Sequence, residues 1–353
     1  MSDNKNLAIQ SLKGIAALVV VLSHTFSMVN NTVIASLHNT WVHLFFDGQC
    51  AVIVFFAITG FFSYKDRNIN IKEFTRTYWT GIIRKFIRLY PSAIIAITIG
   101  WICCNLSIAW PHYNYTQWGN SFWQMPVSVT DLLKTMTLFF QYDPDLIDPP
   151  VWYLQIEIRI AIILPFIVYA INRWGGLKLA ILLFVVLSVL GKYMPFGTNV
   201  LPVYLSGIIA RILVKDDGYM WHSIKRMPMY MCIFIIVLGL FFLDVYNIFN
   251  YSGTTYIIQA IQAIGAILVI SIVYLHRANF MNNTFFVGLG NISYQLYLIH
   301  FIVMLMLRLL NLNVVSITVL TLGISIVISI LIKKLDTLIQ RLLYSRLFYQ
   351  FEA

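Results

Sequence analysis

LAIQSLKGIAALVVVLSHTFSM, residues 7–28, is a run of 22 residues whose only strongly polar members are Gln10, Lys13 and His24. A helix needs about 20 such residues to cross the hydrocarbon core of a bilayer. The run follows a basic residue but has no small-residue cleavage site and carries a histidine near its far end, so it reads as a retained first span rather than a signal peptide. Further apolar runs of similar kind follow at 42–63, 83–108, 151–172, 176–191, 198–214, 228–248, 255–275, 284–309 and 313–332. The expected fold class is therefore an all-α integral membrane protein, a bundle of about ten transmembrane helices, with no sizeable domain outside the membrane. Composition agrees: 59% of the 353 residues are hydrophobic and 11% charged, against about 45–50% and about 25% in soluble domains. The net charge of +10 does not mark a nucleic-acid surface, because Lys and Arg are scattered singly between apolar runs.

The same cations set the orientation. Lys65, Arg67, Lys72, Arg76, Arg84, Lys85 and Arg88 lie between or beside spans two and three, and Arg173, Lys178, Lys215, Lys225, Arg226 and Arg277 mark the other even-to-odd connections. The odd-to-even connections have few: residues 29–41 and 249–254 hold no Lys or Arg, residues 109–150 hold Lys134 and residues 192–197 hold Lys192. The positive-inside rule then puts both termini in the cytoplasm. Residues 1–332 form the transmembrane domain. Residues 333–353 form a cytoplasmic tail that sets Leu335, Leu338, Ile339, Leu342 and Leu343 against Lys333, Lys334, Arg341 and Arg346 at helical spacing, as in a helix lying on the inner membrane surface. The one long loop, 109–150, is rich in aromatic and acidic residues, among them Trp110, Trp118, Trp123, Asp143, Asp145 and Asp148. That composition suits a carbohydrate or an interfacial aromatic belt. Cys50, Cys103, Cys104 and Cys232 lie in apolar runs without metal-ligand spacing.

Ionisable residues inside spans are costly and so mark function by default. Lys13 and His24 share one face of the first helix, roughly 16 Å apart along its axis. Lys13 could equally snorkel to the inner headgroups, and His24 could be a hydrogen-bonded structural residue. Glu157 enters span four about 9 Å from its outer end, a depth that roughly matches His24. It could orient the imidazole for general base catalysis, or form a buried ion pair with Arg159 or Lys13. Arg84, Lys85 and Arg88 open span three on the cytoplasmic side, where they could anchor the helix or hold a phosphate. Ser293, Tyr297 and His300 recur at intervals of four and three on one face of span nine, as substrate contacts or as interhelical glue. His43 and Asp47 make a secondary i, i+4 pair.

These residues sit in segments that resemble the membrane acyltransferase 3 family. Leu12-Lys13-Gly14 through Ser23-His24 is similar to its Arg-Gly-(apolar)-His first span, with Lys13 in place of Arg. Phe55-Phe56-Ala57-Ile58-Thr59-Gly60-Phe61 resembles its Phe-Phe-x-x-Ser-Gly-Phe segment, and Lys85-Phe86-Ile87-Arg88-Leu89-Tyr90-Pro91 its Arg-x-x-Arg-(apolar)-x-Pro segment. Trp152-Tyr153-Leu154-Gln155-Ile156-Glu157 and Ser293-Tyr294-Gln295-Leu296-Tyr297-Leu298-Ile299-His300 complete five segments in the family's order. The resemblance implies an enzyme of the bacterial cytoplasmic membrane that moves an acyl group, acetyl by expectation, from cytosolic acyl-CoA to a hydroxyl of a surface polysaccharide, lipopolysaccharide or lipid-linked precursor. It implies Lys13, Arg84, Lys85 and Arg88 as phosphate contacts, His24 as base and Glu157 as its partner, without a metal. A proton-coupled transporter or glycolipid flippase, with His24 and Glu157 as a relay, is the alternative; such folds often carry two related halves, and no internal repeat is visible.

Overall fold

The computed structural model describes residues 3–37, 40–66, 69–108, 115–140, 143–195, 197–215, 222–223, 226–245, 255–276 and 283–348. Arg67, Trp110, Lys225, Arg277, the end of the seventh apolar run and the last five residues of the tail lie outside them. Ten helices carry the apolar runs: α1 Asp3–Met28, α2 Gly48–Ser63, α3 Ile71–Ser107, α4 Val151–Ala170, α5 Gly176–Leu190, α6 Leu201–Leu213, α7 Met229–Leu243, α8 Thr255–His276, α9 Thr284–Leu307 and α10 Val314–Phe348. No strand occurs among the described residues. Among the described residues six helical stretches are long and apolar enough to cross a membrane, and Gly48–Ser63, Thr198–Leu213 and Met229–Leu243 are shorter apolar helices. One of the six, Val151–Tyr193, holds both α4 and α5. They are parted at Gly175 and Gly176, the latter at φ 52°, ψ −132°, a conformation open to glycine alone. The fold is an all-α membrane bundle.

The chain divides into two compact units. One comprises Met1–Val20, Val33–Asn70 and Ile163–Asn291, and the other Val21–Thr32, Ile71–Ile162 and Ile292–Ala353. In the first, α2 and α6 touch backbone to backbone. A Cβ on Gly60 would collide with the Tyr204 carbonyl, and one on Gly207 with the Ala57 carbonyl. Helices in lipid gain their attraction from such close approach, since lipid tails are as apolar as leucine. α7 and α8 repeat the device with Gly239 and Gly265. The outward side chains of α7, Phe234 and Val237, are exposed, as a lipid-facing surface requires.

In the second unit the long loop does not stand clear of the helices. Val127 accepts hydrogen bonds from Trp101 Nε1 (2.8 Å) and Asn105 Nδ2 (3.2 Å), Ile147 abuts Gly100, and the Tyr90 hydroxyl donates to the Thr137 carbonyl at 2.6 Å. The loop is therefore laid along α3 from Asn105 to Tyr90, about 22 Å of helical rise. Consequently α4 starts beside the middle of α3 rather than level with its outer end, and the depth inferred for Glu157 from position in the chain is too shallow.

The tail also departs from expectation. With neither Gly nor Pro after Gly323 to stop it, α10 runs unbroken from Val314 to Phe348, so residues 333–348 continue the last span instead of turning onto the membrane surface. Asp336 is buried there. It accepts from Gln295 Nε2 (3.1 Å) and Gln340 Nε2 (2.8 Å). Gln340 also donates to the Arg88 carbonyl at 3.3 Å. No boundary separates tail from bundle at 332.

Candidate active site

The second unit orders its polar groups along α9. Tyr294 comes first, its hydroxyl donating to the Leu89 carbonyl at 2.7 Å, with Arg88, Glu157 and Asp336 as charged neighbours. One turn on, the Tyr297 ring packs 5.3 Å from the Tyr153 ring. Next comes His300, fully buried, with its ring 6.0 Å from that of Tyr297. Ser293 is buried on the same helix. The i, i+4, i+7 spacing that placed these residues on one face is the reason they line one column.

His24 joins the column at His300. Its Nδ1 lies 2.8 Å from His300 Nε2, and His300 Nδ1 lies 3.1 Å from the Leu296 carbonyl. The tautomers follow from this chain. A carbonyl only accepts, so His300 Nδ1 carries that ring's single proton and its Nε2 carries the lone pair. His24 Nδ1 must then donate, which leaves the lone pair of His24 on Nε2. The imidazole is thus held as a base with its basic nitrogen turned away from its partner. Trp118 stacks at 5.9 Å from the His24 ring, and Phe301 meets it edge-on at 5.1 Å. The Trp118–Phe122–Phe301 cluster walls the imidazole with apolar rings, while His24 stays partly exposed.

Glu157 is not the partner of His24. Its Oε1 lies 2.8 Å from Lys85 Nζ, with both side chains largely buried. The reason is level. Glu157 lies one turn beyond Tyr153 toward Tyr294, whereas His300 lies one turn beyond Tyr297 in the opposite sense, so the two levels differ by about 10 Å. A buried carboxylate also demands a compensating cation, which a neutral imidazole is not. Arg159 Nε donates to the Phe139 carbonyl at 2.9 Å. Lys13, in the first unit, sets its ammonium over the Phe62 ring at 5.4 Å.

With Lys85 neutralised by Glu157, Arg84 and Arg88 are the exposed cations of the basic run. Beside them an apolar groove between α3 and α10 is lined by Phe86, Tyr90, Pro91, Ile94, Ile339 and Leu343. In the first unit His43 gains a partner distant in sequence: its Nδ1 lies 3.3 Å from Asp244 Oδ1 and 3.9 Å from Asp47 Oδ2. Among the described residues this trio has the donor set and closeness to hold a metal ion, its atoms lying within 4.8 Å of one another. Asp47 has a structural task as well, since its Oδ1 caps α2 through the amides of Gln49 and Cys50.

Sequence reading named Asp148 only as one of the acidic residues of the long loop, and missed Arg308. Asp148 is wholly buried, and neither of its carboxylate oxygens has a hydrogen-bond partner among the described residues. Arg308, also fully buried, had a visible signal: a charge inside the apolar run 284–309, at the end the positive-inside rule leaves poor in cations.

A family profile described as an acyltransferase domain matches residues 6–334, nearly the whole chain. No curated protein and no solved structure matches.

Proposed function

Because the chain belongs to the membrane acyltransferase 3 family, we propose that it is an O-acyltransferase that carries an acetyl group from cytosolic acetyl-CoA to a hydroxyl of a surface glycan or its lipid-linked precursor. The supporting observation is the chain from Leu296 through His300 to His24, which leaves one lone pair on His24 Nε2. In the reaction, His24 Nε2 removes the proton of the attacking hydroxyl as its oxygen adds to the thioester carbonyl. Collapse of that adduct breaks the carbon–sulfur bond, and the proton passes from His24 to the departing sulfur. The products are the acetyl ester and free CoA. His300 Nε2 keeps the Nδ1–H of His24 oriented while the imidazole is charged, a role suited to a fixed acceptor in a low-dielectric site.

Arg84 and Arg88 hold the donor's phosphates, and the groove beside them takes apolar parts of the donor. Arg88→Ala should weaken CoA binding about tenfold to a hundredfold, the worth of one charge-assisted contact. Isothermal titration of the purified protein with CoA reads this directly, and an unchanged affinity would move the donor site elsewhere.

The donor side is cytoplasmic and the glycan side external, in a bacterial cytoplasmic membrane with both termini inside. Single cysteines at Asn70 and Asn120, in a cysteine-free background, should respond oppositely to an impermeant thiol reagent on intact cells. Labelling at Asn120 alone is expected, and labelling at Asn70 alone would reverse the orientation.

A further inference from the structure

Arg308 lies one residue beyond the end of α9 and is the bulkiest fully buried side chain among the described residues. Its Nη1 donates to two loop carbonyls, Gly119 at 2.8 Å and Phe122 at 3.2 Å. Its Nε and Nη2 are buried and have no hydrogen-bond partner among the described residues. Those two nitrogens form one edge of the planar guanidinium, the edge that receives both oxygens of a carboxylate or phosphate in parallel. A buried cation with unmet donors is costly to keep, and each such group calls for an explanation.

The position supplies one. Arg308 follows Phe301 by seven residues, two turns along the same face continued just past the end of α9, where its amide still bonds the Met304 carbonyl. Phe301 is edge-on to His24 at 5.1 Å and packs 5.0 Å from Phe122. Gly119 follows Trp118, the ring stacked beside His24. The loop that holds Arg308 by two carbonyls is therefore the loop that walls the base.

We propose that Arg308 binds an anionic group of the acceptor, so that the hydroxyl acylated at His24 belongs to an acidic glycan whose carboxylate or phosphate seats on Nε and Nη2. This rests on the reading of His24 as the base at the acceptor's side. The test uses the purified full chain in detergent without acyl donor, so that it stands apart from any acyl-transfer result. Methyl glucuronoside, glucose 6-phosphate and neutral methyl glucoside are titrated separately, with tryptophan fluorescence as the readout. At least one anionic sugar should bind about tenfold to a hundredfold more tightly than the neutral one. Preference for the glucuronoside assigns a carboxylate, and preference for the phosphate assigns a phosphate. R308K keeps the charge but loses the fork, so the preference should fall toward one while binding of the neutral glucoside is unchanged. No preference in the wild-type chain, or a preference that R308K leaves intact, overturns the proposal. Should R308K fail to fold, the comparison of the three sugars on the wild-type chain decides alone.

Discussion

His24→Ala should abolish glycan acylation while the protein stays in the membrane at normal abundance. Removing a positioned general base costs about 10²–10⁴-fold in rate, whereas the partly exposed ring gives up only its contacts with Trp118, His300 and Phe301. Mass spectrometry of the surface glycan measures the acyl content, and immunoblotting of membranes measures abundance. His300→Ala should lower turnover as well, because His24 Nδ1 loses its acceptor and the imidazole can adopt the tautomer that hides its lone pair. Near wild-type acylation in His24→Ala would make the residue structural and end the mechanism given above.

Glu157→Gln should act chiefly on stability. The change leaves the Lys85 ammonium buried without its counter-charge, and breaking one side of a buried pair costs about 3–5 kcal/mol. Replacing both residues, as in Lys85→Met with Glu157→Gln, should recover much of that loss, because a neutral pair has no charge to desolvate. Thermal unfolding in detergent and turnover per folded molecule, read on one preparation, separate the roles. A Glu157→Gln protein that is as stable as wild type but slow would return the carboxylate to catalysis.

The helical class and the presence of each apolar helix were legible in the chain because both depend on local quantities, although α3 begins at Ile71 and α10 ends at Phe348, well outside the apolar runs. Burial in lipid requires each backbone polar group to be paired within its own segment, so a run of some twenty apolar residues commits itself to helix whatever its neighbours do. The stripe Ser293–Tyr297–His300 was legible for the same reason, since 3.6 residues per turn put it on one face before any packing is known. The chain also announced His24, Arg88 and Glu157 as residues too polar for their surroundings.

Partnership was another matter. His24 meets His300 across 276 residues of chain, and Lys85 meets Glu157 across 72 positions of sequence. Depth reckoned from the nearest loop misled for Glu157, because that reckoning assumes every loop ends at the membrane face. Here the loop folds down along α3 through bonds from Tyr90, Trp101 and Asn105 and carries the start of α4 with it. The tail failed in the same way: its amphipathic pattern suited a surface helix, but the burial of Asp336 against Gln295 ties it to the bundle. Sequence by itself determined what is helical and what each helix finds costly to bury, because these follow from neighbours within a few residues. Tertiary structure alone decided which costly groups satisfy one another, because that pairing depends on the relative level of helices, which loops and backbone contacts set across the whole chain.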